Sequence, residues 1–173
     1  MRSYRQWLVF SKALLALLLL AGITPAPFAA VNVDRTRLVF AANDVVQSLT
    51  LTNDSVTPML LQVWTDAGET ASSPDSSRTP LVVLPPVFKM QPDELRTLRV
   101  MLSSRRSLPG DRESLFWLNV LEIPPKVNDS ATPNHLQVAF RSRIKIFFRP
   151  TGINGDAFHA AESVQWTLQN NAM

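Results

Sequence analysis

Few residues in this chain could perform covalent or metal chemistry, and their spacing does not suit it. There are no cysteines and only two histidines, His135 and His159. That removes thiol nucleophiles, thiolate metal sites and disulfides together. Neither histidine has another three to five residues away, so no metal site is expected. The five glycines form neither a phosphate-cradling loop nor a nucleophile elbow. Asp111-Arg112-Glu113-Ser114 gathers polar groups, but a solvated turn ahead of a strand accounts for it. No cofactor and no enzymatic activity are expected.

The chemistry that remains is recognition. Leu136, Val138, Phe140, Ile144, Ile146 and Phe148 share one parity, interrupted only by Ser142, while Gln137, Arg141, Arg143, Lys145 and Arg149 share the other. In a strand this period places an apolar set on one face and a basic set on the opposite face. Two accounts fit: an ordinary core strand with a solvated basic face, or a binding strand that projects from its own sheet. Arg35 and Arg37, also of one parity, could snorkel at a surface or present guanidinium forks to a carboxylate. Phe116 and Trp117 are assigned to the core, which a sandwich needs in any case.

The elements that must hold these groups read as β throughout. Strands are expected over Val33–Phe40, Val46–Thr52, Leu60–Thr65, Leu81–Leu84, Leu95–Leu102, Leu115–Ile123 and Leu136–Phe148. Asn53-Asp54-Ser55, Ser72–Ser77, Leu108-Pro109-Gly110-Asp111 and Lys126–Asn134 provide the breaks. Seven short strands within about 120 residues describe an all-β, immunoglobulin-like Greek-key sandwich. The last strand is long against a usual length of about five or six residues. It should therefore outrun its sheet or leave an edge exposed.

The amino-terminal stretch has a different character. Arg2, Arg5 and Lys12 precede or enter the apolar run Ala13–Ala21, and small residues follow to Ala30. This is the pattern of a secretory signal peptide, with cleavage after Ala29 or Ala30. The run is short for a membrane span of about 20 apolar residues. The chain has 17 Lys+Arg against 14 Asp+Glu. Removing three basic residues with the leader leaves 14 against 14, so the excess charge is no sign of nucleic-acid binding. The domain reading is residues 1–30 as signal, 31–150 as the sandwich and 151–173 as a linker. Within the last, Val164–Leu168 is expected to be the first strand of a second, incomplete β domain, as in a truncated chain.

Several segments together resemble the periplasmic pilus-assembly chaperones, the PapD-like family. They are Val33–Phe40, Leu49–Asn53, Leu84-Pro85-Pro86, Asp111–Asn119, Glu122-Ile123-Pro124-Pro125 and Ile144–Pro150, in the family's order. The resemblance implies a periplasmic chaperone that lends its seventh strand to pilus subunits lacking one of their own. It then delivers them to an outer-membrane usher. The lent side chains would be Leu136, Val138 and Phe140. The subunit's terminal carboxylate would be anchored by Arg37 and Lys145, and Glu113 with Arg149 would join an interdomain charge cluster. A short connection from Pro125 to Leu136 is similar to that of the subgroup associated with rod-like pili. Self-capping by a second copy is a further partner open to an exposed edge. The alternative function is a structural or adhesive immunoglobulin-like secreted module.

Overall fold

The computed structural model describes residues 30–126, 136–153, 162 and 164–167. Residues 1–29 of the segment expected to be a signal peptide lie outside the described residues, as do His135, His159 and most of the connection from Pro125 to Leu136. Among the described residues no helix is long and apolar enough to cross a membrane.

Two sheets face each other. One holds four strands in the order β1-β3-β7-β5, and the other holds five in the order β2-β9-β8-β4-β6. The first sheet comprises β1 (Val31–Val33), β3 (Val46–Asn53), β7 (Leu95–Leu102) and β5 (Leu81–Leu84). The second comprises β2 (Arg37–Phe40), β9 (Phe140–Phe148), β8 (Ser114–Ile123), β4 (Met59–Asp66) and β6 (Val87–Met90). Inward residues of both alternate with outward ones and form one core. Leu49, Leu51, Leu98 and Val100 meet Leu61, Leu118, Val120 and Ile146, each at most 1% exposed. At about 25 cal/mol per Å² of apolar surface, this interface is the main stabilising term for a chain without disulfides.

The sandwich class agrees with the sequence reading, with one expected strand divided in two and one strand added. The expected strand Val33–Phe40 is divided between sheets. Val31 is buried in β1 against β3, whereas Leu38 and Phe40 are buried in β2 against β9. Inward parity thus changes from odd to even, which a continuous strand facing one core cannot do. The break is built by Asp34, whose backbone N–H donates to the Thr50 carbonyl at 3.0 Å and whose Oδ1 accepts from the Thr50 N–H at 3.0 Å. The second change is β6, which follows Leu84-Pro85-Pro86 directly. Proline ends the pairing of β5, and the Pro86 carbonyl accepts from the Val63 N–H at 2.7 Å, carrying the chain into the other sheet. Phe88 and Met90 then fill the core.

Val164–Thr167 form no strand. A strand exists through its hydrogen bonds to a neighbour, and no described residue pairs with these four.

Candidate functional site

β9 is paired on one side along its whole length, from Glu122 opposite Phe140 to Ser114 opposite Phe148 in β8. Its other side is paired only over Lys145–Phe148, where β2 runs parallel to it. Phe140–Ile144 therefore present an unpaired edge among the described residues. Leu136–Ala139, expected as the start of the strand, form none. β8 ends at Ile123, so no described strand pairs with them; Gln137 Nε2 donates to the Pro124 carbonyl at 2.7 Å.

The apolar parity divides along this line. Ile144, Ile146 and Phe148 lie in the core, whereas Leu136, Val138 and Phe140 are 89%, 46% and 63% exposed. Three large apolar side chains in alternate positions, beside an open edge, form an unsatisfied apolar row among the described residues.

The open edge ends at a pair of cations. Arg37, the first residue of β2, is the register partner of Lys145 in β9, and both are exposed on the outer face of the sheet. Among the described residues neither forms an ion pair. Arg35 does not join them. Its guanidinium bonds to the neighbouring Asp34 at 3.1 Å and holds that carboxyl below the usual carboxylate range. Glu113 and Arg149, at the other end of β8 and β9, do meet, with Nε donating to Oε1 at 2.5 Å.

Behind the cations lies a polar network that the sequence reading missed. β4, β8 and β9 bring Trp64, Asn119 and Arg143 into one cross-strand row, and Asp66, Trp117 and Lys145 into the next. Asp66 is 1% exposed. Its Oδ1 accepts from Arg143 Nη2 at 2.7 Å and from the Gly68 N–H at 2.8 Å. Its Oδ2 accepts from Asn119 Nδ2 at 2.7 Å and from Ser72 Oγ at 2.8 Å. Burial alone pushes this carboxyl up, but those hydrogen bonds and the Arg143 charge outweigh burial and hold it below the usual carboxylate range. Trp64 Nε1 donates to Ser72 Oγ at 3.1 Å. Arg141 donates to the Thr70 carbonyl at 2.6 Å and to the Ser72 carbonyl at 3.3 Å. The loop of residues 67–73 is thereby folded over the outer face, turning at Gly68 with φ 126°, a conformation that favours glycine.

Trp117 is consequently no core residue. Its indole lies on the outer face under Arg143 and Lys145, with Cζ and Nζ at 4.6 Å and 5.6 Å from the ring centroid. Phe116, of opposite parity, packs against the core as expected. A buried Asp and Asn inside apolar strands were the visible sign of the network. Only the pairing of β4 with β8 and β9 shows that they meet.

A sandwich of this order, open along one strand, has known counterparts. The family described as pili and flagellar-assembly chaperone, PapD N-terminal domain, matches residues 30–154, and the chain belongs to it. Chaperone protein FimB/FhaD of Bordetella pertussis is 34% identical over 93% of this chain and 67% of its own length. The probable fimbrial chaperone YadV of Escherichia coli is 35% identical over 84% of this chain and 60% of its own. A crystal structure of YadV superposes with TM-score 0.65, at 34% identity, covering 80% of this chain and 60% of YadV. The fold is also that of the SafB chaperone of Salmonella enterica, solved in complex with the SafA pilin. That match has TM-score 0.71 at 24% identity and covers 85% of this chain and 67% of the other. The chain thus spans about two thirds or less of the length of these relatives.

Proposed function

We propose that this chain is exported to the periplasm and captures pilus subunits by lending them the open edge of β9. The observation that carries this reading is the unpaired stretch Phe140–Ile144, flanked by exposed Leu136, Val138 and Phe140 and closed at one end by Arg37 and Lys145. A guest strand laid on that edge is collinear with β2. Running parallel to β9, as β2 does, it reaches Arg37 with its carboxyl end. A terminal carboxylate there meets a guanidinium and an ammonium at once, and charge-assisted hydrogen bonds are the strong ones. Leu136, Val138 and Phe140 fill the guest's apolar groove, while main-chain bonds supply affinity with little sequence demand.

In this reading residues 1–30 are a signal peptide, residues 31–150 are the capturing domain, and residues 151–173 lead into a second domain. Glu113 and Arg149 form the near half of an interdomain charge cluster. The captured subunit passes to an outer-membrane usher, and without a subunit a second copy of the chain caps the edge. The activity is binding, without catalysis.

The test is co-purification from periplasm of the full chain, expressed with its own leader, and a co-expressed pilus subunit. The subunit should co-elute with the unmutated chain. Lys145→Ala should lower recovery about tenfold, the worth of one hydrogen bond to a charged group. Equal recovery with Lys145→Ala removes Lys145 from the mechanism. Absence of subunit from a folded, unmutated chain overturns the reading.

A further inference from the structure

An alternating apolar strand leaves its register open. A slip of one residue turns every side chain to the wrong face, but a slip of two restores each to its own face. Apolar complementarity therefore separates odd registers from even ones and does little to separate one even register from the next. That choice falls to the carboxylate anchor, and β9 offers three cations at two-residue spacing on the outer face: Arg141, Arg143 and Lys145.

Only Lys145 is available. Arg143 Nη2 is bonded to the buried Asp66 at 2.7 Å, with its side chain 20% exposed. Asp66 belongs to β4, two strands from β9 across β8, so this pair draws the guanidinium away from the open edge. Arg141 reaches the carbonyls of Thr70 and Ser72 and lies 5.5 Å from the Trp64 ring, also off the edge. Lys145 rests on Trp117 and remains exposed beside Arg37.

We infer that Asp66 determines the register of a captured strand by sequestering Arg143, the rival anchor two residues before Lys145. The inference rests on the carboxylate-anchoring reading above. It assigns Asp66 a positioning role, since Asp66 touches no guest. The loop of residues 67–73 does the same for Arg141. Each diverted cation deletes one wrong even register, leaving a single position at which carboxylate, cations and apolar side chains all agree.

The chain has no cysteine, so its register can be read by disulfide cross-linking. Ser142→Cys places one thiol on the open edge. The probes are alternating Val/Thr peptides of the same length as β9, each with one Cys at a different position, made with a free α-carboxylate and as amides. With otherwise unmutated chain, the carboxylate peptides should cross-link mainly at one position, and the amides at several positions two residues apart. Adding Asp66→Asn should raise a second cross-link two residues nearer the peptide's carboxyl end. Its ratio to the first should rise about tenfold, one charge-assisted hydrogen bond having been lost. Arg143→Lys, which keeps Asp66 but replaces the guanidinium that reaches it through Nη2 with a shorter ammonium, should populate the same slipped register and serves if Asp66→Asn fails to fold. Asp66→Asn with Arg143→Gln should return to one position, a rescue that a merely structural role for Asp66 does not produce. A single unchanged cross-link in folded Asp66→Asn or Arg143→Lys overturns the inference and leaves the anchor reading standing. If amide and carboxylate peptides cross-link alike in the chain bearing only Ser142→Cys, the anchor reading fails and the inference with it.

Discussion

Truncating the three exposed side chains beside the open edge should weaken subunit capture in an order set by how much surface each still has to bury. Leu136, Phe140 and Val138 are 89%, 63% and 46% exposed. With about 2 kcal/mol for complete burial of such a side chain, capture can gain about 1.8, 1.3 and 0.9 kcal/mol from them respectively. Alanine retains the β-carbon, so about two thirds of each gain is lost. Affinity should fall about eightfold for Leu136→Ala, fourfold for Phe140→Ala and threefold for Val138→Ala. Ile144→Ala, on the same parity but 6% exposed, should behave oppositely. It opens a cavity costing roughly 2–5 kcal/mol of stability. The assay is titration of each chain with a subunit whose own donor segment is deleted, beside urea unfolding of the free chain. Losses all within twofold of one another and of the unmutated chain would refute groove filling. So would an equal loss of stability in Leu136→Ala, because a side chain with that exposure contributes little to the free fold.

Two further outcomes concern the domain itself. Glu122 is 3% exposed on the core face of β8, accepts a hydrogen bond from the Val31 backbone, and leaves Oε2 without a partner among the described residues, so burial raises its pKa. An acid with a raised folded pKa binds protons more tightly folded than unfolded. It therefore lowers stability as pH rises from its ordinary value through the folded one. Glu122→Gln should gain stability relative to the unmutated chain over that interval and none below it, as read by urea unfolding across pH. A difference independent of pH would show that Glu122 does not titrate there. Glu113→Ala removes a pair whose side chains are 33% and 44% exposed. It should change thermal stability by less than about 1 kcal/mol, and a larger loss would mean that the pair carries more than its exposure allows.

Most of the architecture was legible in the residues. Period-two alternation marks β3, β4, β5, β7, β8 and the core half of β9, because a half-buried strand must alternate whatever its neighbours are. Charge, cysteine count and histidine spacing directed attention from catalysis to binding. Val33–Phe40 reads as one strand in the sequence, because the parity shift between Val33 and Leu38 gains its meaning only where there are two sheets to choose from.

Tertiary structure decided what depends on pairing between distant segments. Sequence placed Arg37 and Lys145 108 positions apart, and only the parallel pairing of β2 with β9 makes them neighbours. The open edge exists because β2 stops pairing at Lys145, a property of the sheet and not of any residue in β9. Trp117 has the composition of a core residue, yet the register of β8 turns it outward beneath two cations. Asp66 and Arg143, 77 positions apart, form their part-buried bond across an intervening strand. Local sequence specifies which face a side chain takes relative to its strand neighbours. Which strands adjoin, and so which charges meet, is settled by how the two sheets close over one core.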